Sequence, residues 1–207
     1  MNRTAKIVLA ILGFCLLCSF FFFVVLLLSF GYVKQYVTND IADYGKYTGN
    51  YDDESVQEFI TAFFPNEIES TFSDVQYSYR AQKNDSYAFE AYLSFTISDI
   101  EQYDAFIESY TTGLTKSTFR YNDSYWEYTV VDEFFPDPPD TEGKDIHIRY
   151  AKIGKILCCP EKQEIIFVAL GVYDGGVVKT DFLCVYFDRF NIDPREYAVH
   201  AIPAYMN

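Results

Sequence analysis

Residues 87–113 read YAFEAYLSFTISDIEQYDAFIESYTTG, and the period of the apolar residues changes partway along them. Tyr87, Phe89, Ala91, Leu93, Phe95 and Ile97 recur at every second position, which puts them on one side of a strand. After Ser98 the spacing becomes helical, through Ile100, Tyr103, Phe106, Ile107 and Tyr110. Ser98 and Glu101 fit a capping box, in which each side chain satisfies a free amide of the first turn, and Gly113 is placed to cap the far end. A strand and a helix in immediate succession, each with one apolar face, point to a sheet with helices packed on it.

The pattern extends upstream. Val75, Tyr77 and Tyr79 keep the two-residue period and lead into a turn at Asn84 to Tyr87. Before them, Val56, Phe59, Ile60 and Phe63 follow helical spacing, with Ser55 and Glu58 as a second capping box and Pro65 as the stop. Downstream, a second pair of alternating segments flanks another Asn-Asp-Ser-Tyr, at Asn122 to Tyr125. A helix followed by a hairpin therefore occurs twice, which reads as a degenerate duplication.

A proline-rich loop, FFPDPPDTEGKD at residues 134–145, precedes three expected strands, Ile146 to Leu157, Glu164 to Tyr173 and Val177 to Phe190. Cys159-Pro160-Glu161-Lys162 turns the first pair, and Asp174-Gly175-Gly176 is a hairpin signal for the second. Asp193 as N-cap, Pro194 and Glu196 suggest a short closing helix. The expected fold class is α+β: an antiparallel sheet of about seven strands with its helices packed against one face.

The other decisive segment is Ile7 to Val33, 27 residues without a charge. A helix of that length spans roughly 40 Å, enough to cross a hydrocarbon core of about 30 Å with some tilt. A cleaved signal has a shorter apolar core, and Ser29-Phe30-Gly31 is the one passable cleavage site, so an uncleaved anchor is the preferred reading. Arg3 and Lys6 make the leading flank basic, which places the N-terminus in the cytoplasm and the rest outside. The expected organisation is a cytoplasmic tip (1–6), a single-pass anchor in the lipid bilayer (7–33), a short stalk rich in Tyr, Gly, Asn and Asp (34–53) and an extracytoplasmic α+β domain (54–207).

Half of the residues are apolar and 19% are aromatic, a composition that folds rather than one of disorder. All 30 acidic residues lie after residue 33, and a surface of that sign repels a phosphate backbone, so nucleic acid is not an expected partner. Few cysteines in a domain of this size favour a bacterial source over an animal ectodomain. Asn84-Asp-Ser and Asn122-Asp-Ser would be glycosylation acceptors in a eukaryotic secretory pathway.

The residues that could carry chemistry are few. Cys158, Cys159 and Cys184 lie beyond the anchor; a Cys158–Cys159 disulfide would be strained and labile, and small apolar filling is the preferred reading. His147 and His200 have no ligand partner at zinc spacing, so neither metal nor cofactor is expected. Asp132, Asp137 and Asp140 belong to an acid-rich stretch able to offer oxygens to calcium, but the regular calcium-loop spacing is absent and a solvated loop is preferred. No hydrolase, metalloprotease or phosphate-cradling motif occurs in the outer domain, and no catalytic residue is assigned. Tyr92, Trp126 and Tyr128 are candidates for a binding patch toward a peptide or glycan, with core packing as the plainer alternative.

The expected function is a non-catalytic extracytoplasmic binding or interaction module held at the membrane, its protein or glycan ligand unknown. Alternatives are a cell-envelope hydrolase using scattered carboxylates, or a structural subunit of a membrane complex.

Overall fold

The computed structural model describes residue 14 and residues 16–25, 34–45, 54–83, 87–136, 146–173, 176–178 and 184–193. The chain divides at Lys34 into two units. The second is α+β. Its strands are β1 (Lys34–Thr38), β2 (Phe72–Lys83), β3 (Tyr87–Ile97), β4 (Thr115–Thr118), β5 (Trp126–Pro136), β6 (Ile146–Cys159), β7 (Glu164–Tyr173) and β8 (Gly176–Val178). Its helices are α1 (Glu54–Thr61), α2 (Ile100–Thr111) and α3 (Cys184–Arg189). The strands form one sheet in the order β1-β2-β3-β7-β6-β5-β4, with β8 paired to β6, and the pairings among β2 to β8 are antiparallel.

The strand and helix expected within residues 87–113 are β3 and α2. The cap of α2 falls one residue later than the spacing predicts: Asp99, in extended backbone, accepts from the Gln102 amide at 2.9 Å. Gly113 follows the helix at φ +84°, a left-handed turn that costs glycine nothing. The order helix, strand, strand does occur twice, as α1-β2-β3 and α2-β4-β5, although β4 has only four residues against twelve in β2.

The face of the sheet carrying Phe89, Ala91, Leu93, Phe95 and Ile97, here the front, is closed by α1 and α2. Val56 and Ile60 of α1 and Tyr103 of α2 are buried in the same cluster. Each such side chain contributes about 1.5–3 kcal/mol on leaving water. Phe95 stacks on Phe72 with ring centroids 3.9 Å apart, and Phe106 meets both rings edge-on. Gly171 makes room for this layer, because a Cβ there would come within 2.2 Å of the Phe89 ring.

The back face departs from expectation. Val177 to Phe190 is not one strand: β8 ends at Val178, and Cys184–Arg189 is a helix lying over the back face. The helices therefore occupy both faces rather than one. Two-in, two-out burial explains the change, since Tyr186 and Phe187 are buried while Asp188 and Arg189 are exposed, and strand alternation would put Tyr186 and Asp188 together. Nor do β7 and β8 pair with each other as a hairpin. Both β7 and β8 run along β6, and between Val172 and Gly176 the chain advances four residues while β6 advances three, from Ala151 to Ile148. By contrast, the turn at Cys159 forms as expected, with Cys159 opposite Glu164 and the Lys162 amide bonded to the Cys159 carbonyl at 3.2 Å.

The connection expected over residues 34–53 has structure in its first part: β1 forms an edge of the sheet, and a 3-10 turn at Ile41–Asp43 follows. Tyr36 and Tyr44 pack on the front-face cluster, and the Tyr44 hydroxyl donates to the Pro65 carbonyl at 2.5 Å. Within the anchor segment, residue 14 and residues 16–25 are helical and the rest lies outside the described residues. Among the described residues no helix is long and apolar enough to cross a membrane. The expected closing helix after Asp193 also lies outside them, as do the side chain of His147 and the whole of His200.

Candidate functional site

Of the three aromatic candidates, the fold brings two together. The β4–β5 connection is closed by its own backbone: Phe119 donates to Tyr125 at 2.9 Å, Tyr125 to Asn122 at 3.0 Å, and the Asn122 side chain accepts the Ser124 amide at 3.1 Å. Phe119 and Tyr125 turn to the back face, where both pack edge-on against Phe190. With Tyr125 fixed inward, Trp126 and Tyr128 fall in the front phase of β5, opposite Thr118 and Lys116 of β4. The Lys116 ammonium stands 4.1 Å from the Trp126 ring centroid and 6.0 Å from that of Tyr128, a cation held by the negative faces of the rings. Trp126 is 39% exposed, and every residue of β4, the strand at this edge of the sheet, is exposed as well.

Tyr128 is half-buried; burial raises its pKa, with the Cys158 thiol adding to the rise and the Thr111 hydroxyl opposing it. Tyr92 does not join this patch. It points to the back face, 2% exposed, between Ser78 of β2 and Val168 of β7. There burial raises its pKa, and the Ser94 hydroxyl and Arg189 counter part of the rise. Tyr92 shares its phase with Glu90 and Ser94, which marks the same side of the strand as polar but does not reveal that it is covered.

Among the described residues Asp132, Glu127 and Glu164 are committed to partners. Asp132 lies 3.0 Å from the Lys155 ammonium, which also bonds Glu127 at 2.9 Å. Lys155 is 4% exposed; burial opposes its charge, but Tyr186, Glu127 and Asp132 together hold its pKa above the ordinary lysine value. Asp137 and Asp140, the other calcium candidates, lie outside the described residues, and among those described no three acids, cysteines or histidines are grouped to hold a metal. Glu164 pairs with Arg189 and accepts from the Tyr125 hydroxyl at 2.5 Å. Burial, with that bond, pushes the Tyr125 phenol up to about 12.

Sequence spacing gave no sign of Glu90 as a functional group. It is fully buried, and its carboxylate accepts the amides of Tyr186 at 3.0 Å and Val185 at 3.4 Å, in the first turn of α3. Burial raises its pKa to about 7, against the pull of those two amides and of Arg80.

Cys158 and Cys159 are both free thiols and lie in opposite layers, Cys158 in the front cluster and Cys159 in the back one. Successive strand residues point to opposite faces, so the strained bridge is not formed, and burial pushes the Cys158 thiol up to about 12, far from a reactive thiolate.

Beside the end of α3 an open depression of about 430 Å³ is lined by Phe187, Asp188, Asn191, Ile192 and Asp193. It offers two carboxylates and an amide. The chain matches no known protein family, no curated protein and no solved structure.

Proposed function

We propose that this chain is a membrane-anchored extracytoplasmic binding module, which captures a protein or glycan partner at the Trp126–Lys116 edge of its sheet. The observation that carries the reading is the pairing of an exposed indole with a cation beside an edge strand exposed over its whole length. An aromatic ring with a charge at its rim suits a partner that presents both an apolar surface and an anionic group, and the free amides of an edge strand add directional bonds. Glu127, Asp132 and Glu164 are tied to Lys155 and Arg189, which disfavours a hydrolase built on those three carboxylates.

The anchor is residues 7–33, with the N-terminus in the cytoplasm and the domain outside, in a bacterial cell. Its support is the uncharged run itself and the exposure of its described side chains, among them Leu16 at 71% and Phe20 at 70%. A helix apolar all round finds a favourable solvent in lipid.

Two measurements test the proposal. A membrane-impermeant amine reagent applied to intact cells labels Lys116, and alkaline extraction leaves the chain in the membrane; release by alkali, or labelling only after lysis, refutes the anchor. Immobilised full-length protein retains a partner from the cell envelope, and Trp126→Ala with Lys116→Ala lowers that retention at least tenfold. Equal retention by wild type and variant removes the site from consideration.

A further inference from the structure

We propose that Glu90 is a proton-sensitive latch, whose carboxyl group fastens α3 over the back face of the sheet in acid surroundings and whose ionisation loosens that helix as the pH rises. Among the described residues α3 is the one helix on this face, and its first amides meet Glu90 rather than water. The rest of its attachment comes from the apolar side chains of Tyr186, Phe187 and Ile192 and from the pair of Arg189 with Glu164.

Glu90 stands at mid-sheet with no solvent contact. On β2 it faces Arg80, whose cation favours the ionised form. On β7 it faces the apolar Leu170. Its own strand contributes Tyr92, and α3 contributes Asp188, whose charge disfavours ionisation, and Arg189, already committed to Glu164. Lys155, on β6, is committed to Glu127 and Asp132. Two amides and one cation are too little to replace the hydration of a carboxylate, which accounts for a pKa of about 7 with α3 closed. With α3 displaced, water reaches the group and the pKa returns toward 4.5.

The closed form therefore binds the proton more tightly than the open form. Closure is strongest below the open-state pKa, weakens through the interval up to about pH 7, and levels off above it. Across that interval the closing equilibrium falls by roughly two decades.

The test is amide hydrogen exchange on the full-length chain in lipid nanodiscs, from pH 5 to pH 8, with rates corrected for intrinsic exchange and amides of β6 and β7 as the internal reference. Protection at Val185 and Tyr186 falls by roughly 10- to 100-fold between pH 5 and 7.5 while the reference stays constant, and Glu90→Gln makes it independent of pH. Wild-type protection that is flat across the range overturns the latch, and so does a slope that survives in Glu90→Gln. If Glu90→Gln loses the reference protection as well, Arg80→Gln decides. Removing the cation moves the midpoint of the wild-type transition to higher pH, and an unmoved midpoint overturns the proposal.

Discussion

The ammonium of Lys155 sits 2.9 Å from the carboxylate of Glu127 on the covered side of the sheet, and Asp132 completes the group at 3.0 Å. A charge this deep is tolerated only with its partners, so the single variant Lys155→Met leaves the Glu127 and Asp132 carboxylates near each other without the ammonium that stands between them. The expected loss is about 2–3 kcal/mol in urea unfolding, below the full range for a buried pair because Asp132 is 30% exposed. Lys155→Met combined with Glu127→Gln recovers most of it. Asp132→Asn costs under about 1 kcal/mol, and that cost is the same with and without calcium; a calcium-dependent melting temperature that Asp132→Asn abolishes would restore Asp132 as a ligand.

Trp126 is the single tryptophan, so its fluorescence reports on one place. Removing the Lys116 charge by Lys116→Ala lowers quenching by iodide, since the local attraction for an anion is gone. Quenching by neutral acrylamide rises instead, because one face of the ring is uncovered. Changes of the same sign for both quenchers refute the cation–ring contact.

In the native protein at pH 8, Cys158 and Cys159 resist iodoacetamide, and both react once the chain is unfolded in urea. Peptide mass spectrometry without reduction finds no bridge between them. A native adduct on Cys158 within minutes contradicts a thiol that burial holds near 12.

Gly171→Ala puts a methyl group 2.2 Å from an atom of the fully buried Phe89 ring. The ring must shift within the packed layer to relieve the contact, and the substitution lowers stability by about 1–3 kcal/mol. Phe89→Leu in the same chain relieves part of the loss, which separates overpacking from an effect on the strand backbone.

Much of the front layer was legible in sequence because its signals are local. The period of Phe89 to Ile97 needs only the strand itself, and that of Val56, Phe59 and Ile60 only the helix. The back layer was not legible, because its meaning depends on what covers it. Glu90, Tyr92 and Ser94 form the polar phase of β3, all three buried, and the strand by itself does not tell which way that phase faces or that Tyr186 and Phe119 pack in the same layer as Tyr92. Helix α3 was itself hidden, since the run Val185-Tyr186-Phe187 suits a strand by propensity and its first turn depends on a carboxylate 96 positions earlier in the chain. The binding patch was half legible: Trp126 and Tyr128 share a phase in the sequence, whereas Lys116 reaches them only through the register of β4 with β5.

The sheet order has a consequence for how the domain comes into being. Among the described residues strand β7, buried from Ile165 to Val172, is the one that bridges β3 and β6, yet it follows both in the chain. During synthesis the hairpin of β2 and β3 is complete while its inner edge still has no partner, and at about 5–20 residues per second that wait lasts for seconds. For that time the nascent chain carries two apolar half-sheets, each with a row of unpaired amides on the side destined for the middle. The hazard of misassembly is thus greatest just before the ten residues of β7 emerge, and substitutions that slow the arrival or pairing of β7 should lower the yield of protein more than they lower the stability of the molecules that do fold.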